Sequence, residues 1–288
     1  MTWLLEPLSF EFMRQAIAIG SLLGILSAVV GSYLILQQMG MMSCVISHAV
    51  LPGISIAFFL NINLAVGAFI AGILSALMVI AIETRSRIKI DGAMALSLTN
   101  FLALGVILIS ALKTNQINLE EILFGDILGV TTQGVWQTLI ITAIILLLTI
   151  LFYKELEFYT FDPLGAKACG LPVNYLYFGL VCAITLTIIA SMQTVGVLLV
   201  MSLLIGPAIA AYLLVKELKQ MMVLGSIFGI FASISGMYLS YYFDLPSGAA
   251  IVLMVFIVFS IAFLFSPSQG LLTSPEIRHR LGQLFKNK

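Results

Sequence analysis

Cys44 and His48 stand four residues apart in the apolar stretch "MMSCVISHAVLPG" (41 to 53), which also contains Pro52. On a helix, positions i and i+4 share a face about one turn apart, so a thiolate and an imidazole there can reach one metal ion. Two ligands do not close a site, which needs roughly four, but a transport site must also release its ion. Two copies of the chain around an axis would bring four groups together. The same residues also allow a structural role, with Cys44 packed as a small hydrophobe and His48 bonded to a backbone carbonyl.

Pro52 removes one hydrogen bond from its helix and frees a carbonyl, an arrangement tolerated in a membrane mainly beside protein or water. Pro207 repeats this in "LLVMSLLIGPAIAAYLL", and both prolines follow a serine by five residues, in "SHAVLP" and "SLLIGP". Such a recurrence hints at an internal repeat of the kind found in transporters. Other polar residues inside apolar runs are Asn100, with Ser97 a turn away, and Gln193, with Ser191 nearby. A buried amide in hydrocarbon calls for a partner, whether another helix or a passing ion, so Asn100 and Gln193 are candidates to line a path. Asp91 is either a path residue or a helix cap at the start of its span.

The elements carrying these groups follow from composition. The chain of 288 residues is 61% hydrophobic and only 9% charged, where a soluble domain carries about 25% charged residues. Its apolar runs approach the roughly 20 residues that a helix needs to cross ~30 Å of hydrocarbon, and they lack the short alternation of an outer-membrane barrel. An all-α, polytopic transmembrane bundle is expected. Its spans lie near 12–38, 43–60, 63–84, 91–112, 131–153, 174–193, 195–215, 221–243 and 248–266. Nine segments result, or eight full crossings if the second, broken by Pro52, or the sixth and seventh, parted only by "QTVG", do not each cross.

With the C-terminus inside, eleven of the 13 Lys and Arg residues fall in cytoplasmic segments, leaving Arg14 and Lys113 on the other side. The N-terminus has no basic region ahead of a short apolar core, so the first span is expected to serve as its own insertion signal. The three cysteines lack the dense spacing of a disulfide framework. Two domains are expected: a permease domain over 1–270, and a basic tail over 271–288 whose apolar residues, at helical spacing, suit the inner leaflet. His279, within that tail, reads as an exposed helix residue.

The inside loop 154–174 contains a bounded helix near 162–170. Asp162 can cap it, Pro163 suits its first position, Gly170 its end, and Pro172 prevents continuation. On the outer side, Asn118 with Glu120, Glu121 and Asp126 reads as an acidic surface or re-entrant helix. No GxxxxGK[ST], HExxH or GxSxG motif occurs, so neither ATP hydrolysis by this chain nor a familiar hydrolase is supported, and no enzyme activity is expected.

Six stretches, "SHAVLPGISIAFFL", "FLALGVILIS", "LFGDILGV", "FDPLGAKACGL", "MQTVGVLLVMSLLIGPAIAAYLL" and "PSGAAIVL", resemble the membrane permeases of bacterial ATP-binding-cassette importers for manganese, zinc and related ions. The resemblance implies an importer-permease fold working by alternating access, a second copy of the chain with the ion path near the dimer axis, and a pair of cytoplasmic ATPases. It also implies an extracytoplasmic metal-binding protein, a lipid-embedded inner-membrane location, no nucleic-acid partner, and no permanently bound cofactor beyond the transported ion. Asp162, Pro163, Gly165 and Ala166 match the family's ATPase-coupling segment, and Asp91 matches the acid before the fourth span. The family usually reads Gly-Asp ahead of the histidine, as in "GDAISHA", whereas this chain has Ser43 and Cys44. Manganese prefers oxygen ligands and thiolate favours zinc and softer ions, so the exchange bears on metal choice. The rival reading is a gradient-driven secondary transporter, for which buried acids would be needed as proton relays; few exist here.

Overall fold

A computed structural model describes residues 6–112 and 127–266, with the side chains of Leu128, Gln193 and Thr194 left outside that description. Among the described residues the ordered elements are helices: α1 (Glu11–Leu36), α2 (Gly40–Phe59), α3 (Leu64–Arg85), α4 (Ile90–Ala111), α5 (Thr132–Leu151), α6 (Tyr153–Phe161), α7 (Pro163–Ala168), α8 (Val173–Val195), α9 (Val197–Tyr212), α10 (Leu218–Phe243) and α11 (Ser247–Phe265), with single 3-10 turns at Pro7–Ser9 and Ile127–Gly129. Eight helices are long and apolar enough to cross a membrane. The ninth apolar helix, α9, has 16 residues, about 24 Å at 1.5 Å per residue, so the seventh expected span is short of a full crossing.

Without a hydrophobic force between helices in lipid, close approach depends on small residues. α1 runs through the middle of the bundle, packed on α9, α10 and α5. At its crossing with α10, a Cβ on Gly24 would lie 2.7 Å from the Gly229 backbone, and one on Gly31 would drive into the Leu204 carbonyl of α9. Ser233 ties the first crossing by donating to the Gly20 carbonyl at 2.9 Å. A second group forms on α2, which packs on α3 through facing Gly53 and Gly67, and on α4 where Gly105 meets Leu51 and Pro52.

Short connections fix these pairs. Asn61 takes a left-handed φ of 53°, and Asn63 caps α3 by accepting from the Ala65 amide at 2.9 Å. α8 and α9 are parted by Gly196 alone, at φ 79° and ψ 160°, a region open essentially to glycine. Serine and threonine inside the spans mostly donate back to their own helix, as Ser55 does to Leu51 and Thr185 to Val181.

Two expectations need correction. The inside loop contains an additional nine-residue helix, α6, joined to α5 through Phe152, because "YKELEFYTF" has no glycine or proline to break it before Asp162. Asp91 does not cap α4: that helix starts at Ile90 with Lys89 at the N-cap, so Asp91 lies in the first turn, where its charge favours the helix N-terminus. The acidic segment with Asn118, Glu120, Glu121 and Asp126, and the basic tail with His279, lie outside the described residues.

Candidate functional site

From Met42 to Ser55, α2 is buried except at Cys44 and His48, which are half-buried. His48 sits close to the middle of the helix, and with Cys44 it marks the one polar stripe facing away from the packed core. Nδ1 of His48 lies 2.8 Å from the Cys44 carbonyl oxygen and 3.7 Å from Cys44 Sγ. A carbonyl can only accept, so Nδ1 carries a proton and donates, and Nε2 is the ring nitrogen not engaged by the backbone. The backbone bond permitted for His48 is therefore made, and it orients the ring without consuming the nitrogen that would bind a metal.

Pro52 lies four residues after His48 and has no N–H to return to the His48 carbonyl. The proline thus releases a third potential donor on the same residue as the imidazole. Pro207 does the same for Leu203 in α9, where it is buried and its carbonyl faces Gly225 of α10. The two broken helices share a design, but only the break in α2 coincides with titratable groups.

Asn100 is exposed on α4, whereas Ser97 is fully buried with an unpartnered hydroxyl, so the two do not form one polar group. α2, α3 and α4 follow one another through short turns, so α2 and α4 run in the same direction. Counting back from the Pro52–Gly105 contact, His48 and Asn100 lie at depths that differ by only ~1.5 Å. Asp91 is exposed at the start of α4. Gln193 lies in α8 with its side chain outside the described residues, while Ser191 donates to the Thr187 carbonyl at 2.6 Å. No cluster of three His, Cys, Asp or Glu side chains is found among the described residues.

At the other candidate segment, Asp162 accepts from the Gly165 amide at 2.8 Å, Pro163 opens α7, and Gly170 follows its end at φ 81°. A Cβ on Gly165 would collide with the Asp162 carboxylate, so the cap requires that glycine. Ala166 is buried and anchors the helix. Gln37, in the turn after α1, reaches Thr160 of α6 at 3.3 Å and ties the segment to the spans. Burial, with the Glu83 charge beside it, pushes the Tyr159 hydroxyl up to about 12. Tyr153 is also pushed up to about 12, by burial and by its 3.0 Å hydrogen bond to Glu157.

One feature of this segment escapes sequence reasoning. Leu164 is 81% exposed, flanked by exposed Phe161, and only the cap geometry reveals that the apolar side of α7 points outward rather than into the bundle.

The chain matches the model of a protein family, the ABC 3 transport family, over residues 9–266. It is similar to the manganese transport system membrane protein MntC of Listeria monocytogenes, with 44% identity over 274 residues, 95% of this chain and 98% of the relative. It is similar to the chelated iron transport system membrane protein YfeD of Yersinia pestis, with 38% identity over 261 residues, 91% of this chain and 88% of the relative. Among solved structures it resembles PsaBC from Streptococcus pneumoniae in complex with Fab, with a TM-score of 0.84 and 39% identity, covering 94% of this chain and 97% of the other.

Proposed function

The chain belongs to the ABC 3 transport family, and from that premise we propose that it is the permease of an importer that carries a divalent transition-metal ion into the cell. Relatives named for manganese and for iron support the substrate class. One observation carries the reading: α2 is sealed into the bundle everywhere along its middle except at Cys44 and His48. An outward-facing thiol and imidazole at mid-depth are costly against lipid. A second copy of the chain covers them, bringing two such pairs to an axis. His48 Nε2 and Cys44 Sγ bind the ion transiently, Asn100 lines the path at the same depth, and Pro52 leaves the His48 carbonyl available beside it. Pro207, Gln193 and Asp91 are assigned to the same path.

Two ABC ATPases dock on the cytoplasmic segment capped by Asp162, with Pro163, Gly165 and Ala166 holding its shape. A metal-binding protein delivers the ion from the other side. The permease domain spans 1–270 in the bacterial cytoplasmic membrane, with the C-terminal tail inside. Cys44 gives this permease a softer donor than the family's usual carboxylate, and so a relative preference for zinc or ferrous iron over manganese. The assembled complex in vesicles should accumulate 54Mn or 65Zn only with ATP and with any ion gradient collapsed. Unchanged uptake by the Cys44→Ala, His48→Ala double variant would remove the site assignment, and gradient-driven uptake without ATP would favour a secondary transporter.

A further inference from the structure

The segment capped by Asp162 and the helix that carries Cys44 and His48 are built as separate pieces. α6 packs on α1, α5 and α8, and α7 packs on α6 and α8, whereas α2 packs chiefly on α3 and α4. Between the two pieces lies a cavity of about 630 Å³, bordered by Gln38 and Met39 ahead of α2, by Glu83 of α3, by Thr160 and Pro163 of the capped segment, and by Tyr177 of α8. A side-chain hydrogen bond bridges the two at the cavity wall. The Gln37 amide donates to the Thr160 hydroxyl at 3.3 Å, and both residues line the space.

Both ends of that bond are held in place. Thr160 is 9% exposed and stands two residues before Asp162, the cap of α7. Gln37 closes α1: its backbone N–H donates to the Tyr33 carbonyl at 3.0 Å, that of Gln38 to Ile35 at 3.1 Å, and that of Met39 to Leu34 at 2.8 Å. Gln38 takes a left-handed φ of 58°, uncommon for a residue other than glycine. Met39 is buried and accepts from the Met42 N–H at 2.9 Å, inside the first turn of α2. The connection is therefore stiff, and α2 begins at Gly40, three residues after Gln37. From Gly40, Cys44 lies ~6 Å and His48 ~12 Å along the helix axis. A displacement at Thr160 thus reaches α2 through its first residues, without passing through α3 or α4.

We propose that Gln37 is a positioning residue for transport: through Thr160 it passes movement of the docked segment to the start of α2, and so shifts the Cys44–His48 stripe when the ATPases act. The inference rests on the docking reading above and deepens it. The cavity gives the segment room to move without breaking packed contacts, and the bond is the tie that follows the motion. One neutral hydrogen bond adds little to folding, so its loss is read in coupling.

Manganese or zinc uptake, whichever the wild type carries, and ATP hydrolysis are measured on the same vesicles containing the permease with its ATPase. Gln37→Leu and Thr160→Val should each lower the ions moved per ATP by about fivefold, while the ATPase stays bound, hydrolysis continues and the melting temperature holds. Thr160→Ser keeps the hydroxyl and should retain the wild-type ratio. The Gln37→Leu, Thr160→Val double variant should lose no more than either single one, because each removes the same bond. A wild-type ratio in both single variants, or losses that add in the double variant, would overturn the inference and leave docking intact. A wild-type chain that does not hold its ATPase would overturn the docking reading and take this one with it. Should Gln37→Leu not fold, Thr160→Val set against Thr160→Ser decides alone, equal ratios in the two counting against the tie.

Discussion

His48 donates through Nδ1 to the carbonyl of Cys44, 2.8 Å away, one helical turn earlier. The bond sets the ring's tautomer and aims Nε2 away from the backbone. His48→Ala removes the only imidazole among the described residues, and ATP-driven metal uptake is expected to fall by at least about tenfold, ~1.4 kcal/mol of lost stabilisation. Unchanged uptake in vesicles, at equal amounts of folded protein by size exclusion, would reject the role of the ring.

Cys44→Asp replaces a soft donor by a hard one in the same place. Manganese is expected to gain on zinc in competition uptake by about tenfold. The sign of the change matters more than its size, since a shift toward zinc would mean that the thiol does not meet the ion.

Pro52→Ala restores an N–H to the His48 carbonyl and re-forms a helix hydrogen bond. Thermal stability in detergent should rise or stay level while transport falls. A variant that transports normally would show that the carbonyl and the local break are dispensable.

Asp162→Ala removes the cap of α7, a loss of about 1 kcal/mol to that helix. Because α7 is short and far from Cys44 and His48 in the chain, metal binding should persist while ATP hydrolysis ceases to drive uptake. Gly165→Ala should act the same way, through collision with the Asp162 carboxylate. Equal coupling ratios, ions moved per ATP, in wild type and variants would contradict the docking role.

Tyr159 supplies a pH signature outside the spans. Its hydroxyl is held neutral by burial and by Glu83, up to about 12 against the ordinary 10.0. A folded-state value above the unfolded one contributes stability that is present below pH 10 and lost as the pH rises through 12. The melting temperature of the purified chain should therefore drop between those values, and Tyr159→Phe should flatten part of the slope.

The helices are legible in the sequence because nearly every span is bounded by a charge, a turn former or a proline, and their ends agree with the expected segments within a few residues. α6 is not, because a stretch of nine mixed charged and aromatic residues beside a longer span looks like a connector until its packing is seen. Cys44 and His48 are legible as a pair from their spacing alone. That they share the one break in the buried surface of α2 depends on how α3 and α4 enclose that helix through Gly53, Gly67 and Gly105, which no local pattern reveals. Asn100 and Ser97 are a turn apart in sequence yet differ in burial, since α4 packs through only one narrow face.

Leu164 and Phe161 leave an oily knob uncovered by the rest of the chain. Apolar surface left wet is unfavourable by about 25 cal/mol for each Å², so whatever covers the knob also holds the fold together by mass action. On the proposed docking of the ATPase there, the permease is an unfinished object by itself: its lifetime is expected to rise with the abundance of that subunit, and an excess of membrane chains over it to be self-limiting.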